Sequence, residues 1–282
     1  MSCKKYLTLS KPGIIFGNLI TLVGGFLLAT HRQIGLDHLS ILVFTMAGVA
    51  LMIASGCVFN NCYDRDIDST MERTKKRPLV THDISLRNAL LFGTVMFFVS
   101  CFILYTFVNA LTLYIILVGF FVYVVVYTLS KRVTIYSTVL GSISGAIPPV
   151  AGYVAVTNSL DYNALALFLV LFFWQIPHSY AIAILYMKDY KKANLPLLPI
   201  VKGVAHTKKT MLVYLVLFVA TCTLPYLIGS ADLLSFVITM FIALLWAYKS
   251  FKSYLRDDNA VFAKTVFKLS IIVVTVICIT LG

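Results

Sequence analysis

The sequence predicts an all-α membrane protein whose nine transmembrane helices form one bundle. Of its 282 residues, 60% are hydrophobic and only 12% are charged, whereas soluble domains carry about 25% charged residues. Apolar runs of about 18–22 residues recur nine times, and each is long enough to cross a bilayer. Basic residues collect on alternate connections between these runs, as the topology of a multi-pass protein requires. These three observations exclude a soluble globular fold.

The nine predicted spans lie at 13–30, 40–59, 88–107, 110–130, 137–157, 162–185, 210–228, 232–248 and 266–282. Of the 23 Lys and Arg residues, Arg32 alone falls on the side that would face away from the cytoplasm. The N-terminus and the long basic connections are therefore predicted to be cytoplasmic, with the C-terminus outside. This topology, rather than nucleic-acid binding, explains the net charge of +12.

Little of the chain is left over for a separate soluble domain. We therefore predict one integral-membrane domain over residues 1–282, with functional cytoplasmic loops near 60–87 and 186–209. The six cysteines are scattered, and their spacing indicates neither a zinc site nor a disulfide framework.

A polar ladder follows the second span directly. Asn60, Asp64 and Asp68 are spaced i, i+4, i+8, which on a helix places them on one face about 6 Å apart. Carboxylates at a membrane edge are costly unless they are paired or bind a ligand. Oxygen ligands suit Mg²⁺, and the nearby Arg73 and Arg77 suit a phosphate ester. A solvated loop that balances basic residues is the alternative, but such a loop does not need this register.

The sixth span contains the segment Trp174-Gln175-Ile176-Pro177-His178-Ser179-Tyr180. Pro177 lacks a backbone donor, so the helix is predicted to kink or open there. His178 beside that break could ligate a metal or accept a proton. A hydrogen bond from His178 to a freed carbonyl is the structural alternative, and the sequence leaves both open.

Two further sets of residues carry candidate roles. Tyr123, Tyr127 and Lys131 repeat the i, i+4, i+8 spacing at the end of span four, where tyrosine faces could stabilise a cation and Lys131 could bind phosphate. An interfacial aromatic belt with a snorkelling lysine has the same pattern. Asp189 is the single carboxylate of the second long loop, where it would be either a second Mg²⁺ ligand or a solvated side chain.

Several stretches along nearly the whole chain resemble the heme O synthases, the protoheme IX farnesyltransferases of the UbiA-type prenyltransferase superfamily. The Asn-Asp-Asp ladder marks the superfamily, and the Trp-Gln-x-Pro-His segment is more specific to its heme-modifying branch. The matching stretches are residues 11–20, 54–61, 71–74, 145–149, 174–180 and 189–199.

The resemblance implies a nine-helix bundle that transfers the farnesyl group of farnesyl diphosphate to a vinyl group of heme b, with addition of water. Heme O and diphosphate would be the products, and Mg²⁺ the cofactor. The implied setting is a bacterial inner membrane, with membrane lipid around the protein and a terminal oxidase or heme-handling proteins as further partners.

The resemblance, together with the residue patterns described above, predicts roles for individual residues. Catalysis would involve Asp64, Asp68, His178 and Tyr127; diphosphate would be bound by Asn60, Arg73, Arg77 and Lys131; and metal would be held by Asp64, Asp68 and Asp189. The superfamily usually has a second Asp-x-x-x-Asp motif after span six, and this sequence departs from it because only Asp189 is present.

Two other functions are compatible with parts of the sequence. A UbiA-type prenyltransferase acting on a quinone precursor would share the aspartate ladder but not the Trp-Gln-x-Pro-His segment. A secondary transporter would also have broken helices with polar groups at mid-depth, yet here the chemically active residues cluster on one face.

Overall fold

The computed structural model describes residues 3–31, 33, 35–256 and 258–280, and all regular structure within these ranges is helical. Nine helices of the described residues are long and apolar enough to cross a membrane, which confirms the predicted number. They are Pro12–Thr30, Leu36–Tyr63, Leu86–Phe107, Ala110–Ser130, Ser137–Thr157, Tyr162–Leu185, Val204–Ile228, Leu233–Tyr254 and Asn259–Thr280. We call them spans one to nine. Arg32 and the predicted end of span nine at 281–282 lie outside the described residues.

Spans two, seven, eight and nine extend beyond their predicted bounds at charged ends. Span seven begins at Val204 and span nine at Asn259, so Lys208 and Lys264 lie on helices rather than in loops. Hydropathy falls at the first charged residue, whereas helical hydrogen bonds continue past it. Lys208 is accommodated because its Nζ lies 5.2 Å from the ring centroid of Tyr254, a cation–π arrangement.

Two spans change their helical geometry near the predicted functional residues. Span four passes into a π-helix over Val122–Tyr127, and span five divides at Ala146, directly before Ile147-Pro148-Pro149. Span six, by contrast, continues as one helix over Tyr162–Leu185 with Pro177 inside it. Of the predicted kink or opening at Pro177, only the opening is therefore ruled out, and proline still leaves the carbonyl of Phe173 without its helical donor.

Spans one and five pack with their backbones in close approach. A Cβ atom added at Gly25 would lie 1.9 Å from the carbonyl oxygen of Pro149, and one added at Gly152 would lie 2.0 Å from that of Leu22. Glycine is required at both positions because no other residue fits the gap. This contact fixes one half of span one against the centre of the bundle.

The two long loops predicted to be functional meet at one end of the bundle. Short helices over Arg65–Thr70 and Met187–Lys192 begin the loops. Met71 of the first loop packs with Ala193 and Leu195 of the second in a small apolar cluster. The fold thus brings distant sequence segments together above the ends of spans two, four and six.

Candidate functional site

A cavity of about 770 Å³ runs into the bundle from this end. Its walls come from spans one, two, four, five, six and nine, together with the first residues of both loops. Polar side chains line its mouth, and aromatic and aliphatic side chains line its interior. The volume is within the range of small-molecule and cofactor sites.

The polar ladder lies at the mouth of the cavity. The helix of span two ends at Tyr63 and a short helix starts at Arg65, so the ladder is not on one uninterrupted helix. The backbone amide of Asp64 nevertheless donates to the carbonyl of Asn60 at 2.9 Å, and that of Asp68 to Asp64 at 2.8 Å. This i→i−4 pattern keeps the three side chains on one face, where all are at least 96% buried and line the cavity.

Each member of the ladder faces a cationic side chain. Asp64 forms an ion pair with Lys131. Oδ2 of Asp68 accepts from Nη1 of Arg77 at 2.6 Å. Oδ1 of Asn60 accepts from Nζ of Lys11 at 2.8 Å. Three cations from three different parts of the chain therefore surround the ladder, and an anionic ligand at this position would meet all of them.

Lys11 also belongs to this site, a role that was not among the predictions from the sequence. Its backbone is left-handed, with φ 54°, directly before Pro12, and this turn directs the chain into span one. Burial lowers the pKa of Lys11 to about 8, because loss of water disfavours the charged ammonium. In the sequence, Lys11 stands out only as a lysine just before an apolar run. Its contact with Asn60 could not be predicted because the two residues are 49 positions apart.

Lys131 is similarly affected by burial, which lowers its pKa, while the charge of Asp64 acts in the opposite direction. Its neighbour Arg132 ties the connection after span four to the end of span two. Both terminal nitrogens of Arg132 lie 2.7 Å from the carboxylate oxygens of Asp66, and Nη2 also donates to the carbonyl of Tyr63 at 3.0 Å. This bidentate contact holds the segment that carries Lys131.

Arg73 connects the cavity to the second loop. Its side chain lines the cavity, and its Nη2 donates to the hydroxyl of Tyr190 at 3.2 Å. The backbone amide of Arg73 donates to Oδ2 of Asp189 at 3.2 Å. Asp189 itself is not among the residues that line the cavity. The structure therefore places Asp189 at the contact between the loops rather than beside Asp64 and Asp68.

The ladder has oxygen atoms suited to a divalent cation. Oδ1 of Asp64 is buried and, among the described residues, has no hydrogen-bond partner. Its ion-pair partner, Nη2 of Arg132, lies 3.7 Å away, beyond hydrogen-bond distance, and burial of a carboxylate oxygen without a hydrogen bond is costly. No group of three or more His, Cys, Asp and Glu side chains in the described part of the chain could hold a metal alone. The ladder fits Mg²⁺, which is commonly held by one or two carboxylates plus substrate phosphates and water.

Tyr123 and Tyr127 form an aromatic wall beyond the ladder. Their rings stack with centroids 5.7 Å apart and planes inclined by 11°, and both line the cavity. Gly141 makes room for this wall, because a Cβ there would lie 2.7 Å from Cδ2 of Tyr127. The predicted tyrosine faces therefore lie between the charged mouth and the apolar interior.

The interior of the cavity contains His178 from span six. Its ring packs on that of Trp174 at a centroid distance of 4.9 Å. Its Nδ1 lies 2.7 Å from Oγ of Ser270 in span nine. The expected alternative partner was a freed backbone carbonyl, and the partner in the structure is this hydroxyl. Ser270 was not selected from the sequence because nothing in its own neighbourhood indicates that it faces span six.

The cavity also opens sideways between spans one and nine. Phe16 of span one and Ile271 of span nine both line the cavity, yet they are 69% and 47% exposed. Gly13 and Gly17 face open space on the same part of span one. This side of the cavity is therefore bordered by lipid-facing residues, whereas its mouth is bordered by polar ones.

A membrane bundle with a charged mouth, an aromatic wall and an apolar interior defines a protein that takes an anionic head group with an apolar tail. The model of the UbiA prenyltransferase family matches residues 18–272. The chain therefore belongs to the UbiA prenyltransferase family.

Relatives extend over the whole length of the chain. A protein named protoheme IX farnesyltransferase from Francisella tularensis subsp. novicida (strain U112) is 67% identical over 282 residues, covering 100% of both chains. A protein of the same name from Yersinia pestis (strain Pestoides F) is 44% identical over 276 residues, or 98% of this chain and 92% of that one.

Solved structures share the fold. A digeranylgeranylglyceryl phosphate synthase has a TM-score of 0.79 at 20% identity, covering 99% of this chain and 96% of its own. A UbiA homolog from Archaeoglobus fulgidus bound to GPP and Mg²⁺ has a TM-score of 0.69 at 18% identity, covering 98% and 99%. At these identities the likeness is one of architecture.

Proposed function

We propose that this protein transfers the farnesyl group of farnesyl diphosphate to a vinyl group of protoheme IX, with addition of water, to give heme O and diphosphate. The full-length relative at 67% identity supports the substrates. The observation that carries the proposal is the buried ladder of Asn60, Asp64 and Asp68, which faces three cations at the mouth of an apolar cavity.

The charged mouth would bind the diphosphate. Lys11, Arg73, Arg77 and Lys131 would neutralise its oxygens, and Nδ2 of Asn60 would donate one further hydrogen bond. Asp64 and Asp68 would hold Mg²⁺, which when bound supplies Lewis-acid stabilisation of the diphosphate. Cancellation of the charge on the leaving group is the main demand of this chemistry, since preorganised charges are the largest single contribution in many enzymes.

In the reaction, the bond between C1 of the farnesyl chain and the diphosphate oxygen breaks, and its electron pair leaves with the diphosphate. The π electrons of a porphyrin vinyl group form the new bond to C1. Water adds to the porphyrin-side carbon and then loses a proton. Tyr127, together with Tyr123, would stabilise the allylic cation through the faces of their rings, and the apolar walls would keep other water away.

His178 and Asp189 complete the proposed set of residues. His178 would position the porphyrin in the interior. Asp189 would add a metal ligand only if its carboxylate turned from the amide of Arg73 toward the diphosphate, so Asp189→Asn separates that role from its contact between the loops. A smaller loss in this variant than in Asp64→Asn would assign Asp189 to the loop contact.

The protein is an integral multi-pass membrane protein. Our proposal places it in the bacterial inner membrane, with the N-terminus and the charged mouth in the cytoplasm and the C-terminus in the periplasm. The proposal includes delivery of heme O to a terminal oxidase or to heme-handling proteins. Labelling of single cysteines introduced near residues 75 and 231 by a membrane-impermeant reagent tests the orientation.

Mass spectrometry of extracted hemes tests the reaction itself. Membranes that contain the protein should convert heme b to heme O when supplied with farnesyl diphosphate and Mg²⁺, and membranes without it should not. A parallel incubation with 4-hydroxybenzoate in place of heme tests the quinone-precursor alternative. Prenylated 4-hydroxybenzoate with no heme O would overturn the proposal, and Mg²⁺-independent uptake into vesicles would favour a transporter.

A further inference from the structure

Ser270 of span nine anchors two side chains of span six at the interior end of the cavity. It is fully buried, with 0% of its surface exposed. Its Oγ lies 2.7 Å from Nδ1 of His178, and its backbone carbonyl accepts from Nε1 of Trp174 at 2.9 Å. One residue therefore holds both aromatic rings of the Trp-Gln-x-Pro-His segment.

The direction of the hydrogen bond between Ser270 and His178 follows from a second contact. Oγ of Ser270 also lies 2.6 Å from the carbonyl oxygen of Phe267. A carbonyl only accepts, so the hydroxyl proton of Ser270 is directed to it. A hydroxyl has one proton and two lone pairs, and so Oγ can only accept from the imidazole. Nδ1 of His178 therefore carries the proton, which leaves Nε2 of the neutral ring with a free lone pair.

Nε2 of His178 is available to a ligand in the cavity. His178 lines the cavity. Within the described residues Nε2 has no hydrogen-bond partner, and it is not among the polar atoms that are buried without one, so it is open to the cavity. The rings of Trp174 and Phe267 pack against the imidazole at centroid distances of 4.9 and 5.1 Å. These contacts restrict rotation of the ring and fix the direction of its lone pair.

We propose that Ser270 is a positioning residue that holds His178 in the Nδ1–H tautomer, so that Nε2 ligates the iron of the metalloporphyrin substrate. The inference rests on the proposed function, because it requires a porphyrin in this cavity. Neutral imidazole is a common ligand of iron. Partners that accept from the far nitrogen of a ligating histidine set its tautomer and orientation, and their loss costs about 10–100-fold in metal affinity.

Titration of the purified full-length protein with ferric heme b, followed by electron paramagnetic resonance and by resonance Raman spectroscopy of the reduced form, tests this role. The wild-type protein and Ser270→Thr, which keeps the hydroxyl, should show imidazole ligation. His178→Ala should lose it. Ser270→Ala should weaken heme binding about tenfold and reduce the imidazole signature, although the carbonyl that holds Trp174 is still present.

Ser250→Ala is the matched control. Its hydroxyl is equally buried, in span eight, and has no hydrogen-bond partner among the described residues, so its removal should change neither heme affinity nor the spectra. Binding of farnesyl diphosphate, measured for every variant, should be unchanged and reports that the bundle is folded.

Two results would overturn the inference: a wild-type spectrum and heme affinity in Ser270→Ala, or imidazole ligation that survives in His178→Ala. Failure of the proposed function has a different signature. The wild-type protein would then bind heme through imidazole but form no farnesylated heme from farnesyl diphosphate.

Discussion

Nη1 of Arg77 lies 2.6 Å from Oδ2 of Asp68, at the mouth of the cavity. The same relationship links Lys131 to Asp64 and Lys11 to Asn60. Two of the cations that would bind a diphosphate, Arg77 and Lys131, are thus paired with the carboxylates that would bind its metal. A diphosphate must therefore draw these cations away, and in doing so it frees the carboxylates.

Metal binding should consequently depend on the diphosphate. Mn²⁺, used as a paramagnetic substitute for Mg²⁺, should bind weakly to the protein alone and at least about tenfold more tightly with farnesyl thiodiphosphate present, since typical coupling free energies correspond to about 5–150-fold. Electron paramagnetic resonance of free Mn²⁺ measures both affinities. Equal affinities would show that the ion pairs do not compete with the metal.

Neutralisation of either ladder carboxylate should stop the reaction. Asp64→Asn or Asp68→Asn removes the charge that holds the metal and also leaves Lys131 or Arg77 without its partner, so heme O formation should fall by at least about 100-fold. Chelation of divalent metal with EDTA should have the same effect on the wild-type protein. The assay is heme O yield from membranes with equal protein content.

Asp66→Asn is the control for those two variants. Its carboxylate belongs to the same segment but is 63% exposed and pairs with Arg132 outside the cavity. Exposed ion pairs contribute little, so its activity should fall less than about tenfold. Equal losses in all three variants would contradict a specific role for the ladder.

Affinity for farnesyl diphosphate should fall as pH rises through about 8, because burial lowers the pKa of Lys11 to about 8 and its charge is lost there. Lys11→Arg stays charged over this range and should lose that part of the pH dependence. Binding measured from pH 7 to pH 9.5 makes the comparison. If the affinity of Lys11→Arg falls with the same midpoint pH as that of the wild-type protein, Lys11 is not the group responsible.

The lowered pKa of Lys11 also affects the free energy of unfolding, but in the opposite direction to its effect on farnesyl diphosphate affinity. The folded protein releases the Lys11 proton more readily than an unfolded chain, in which the pKa of the lysine lies near its ordinary value of 10.5. Between these two values the unfolded state binds more protons, so this contribution makes the free energy of unfolding rise with pH. A fall in farnesyl diphosphate affinity between these two pKa values would therefore not be caused by Lys11 destabilising the folded protein.

The contact between spans one and five should be intolerant of any side chain. Gly25→Ala or Gly152→Ala places a Cβ about 2 Å from a backbone carbonyl, and overpacking of this kind typically costs about 1–3 kcal/mol or more. Thermal unfolding in detergent should show a clear fall in the midpoint for both variants. Gly17→Ala, where nothing lies within 4 Å, should leave the midpoint unchanged or raise it slightly.

Features encoded by neighbouring residues were predictable from the sequence. Span number follows from hydropathy, and the ladder follows from the spacing of Asn60, Asp64 and Asp68, because helical periodicity acts over a few residues. The starts of spans seven and nine were misplaced because hydropathy falls at their charged residues while the helices continue past them. At Lys208 the ammonium lies against the ring of Tyr254. Span six remains helical through Pro177, so the predicted opening was wrong, whereas the predicted kink stays a prediction.

Features that depend on the packing of distant spans could not be predicted in this way. Lys11 and Asn60 are 49 residues apart, and His178 and Ser270 are 92 residues apart. Each pair is set by which helices are neighbours, and hydropathy does not encode that arrangement. The contact of Asp189 with the amide of Arg73 is also of this kind, since it requires two loops 116 residues apart to meet.

The sideways opening between spans one and nine affects how the two substrates reach the cavity. A farnesyl chain and a porphyrin are both poorly soluble in water, and each can pass from the bilayer into the interior without leaving an apolar environment. Only the diphosphate needs to travel along the polar surface to Lys11. The rate of turnover should therefore depend on how much of each reactant is dissolved in the lipid, not on its concentration in the surrounding aqueous phase.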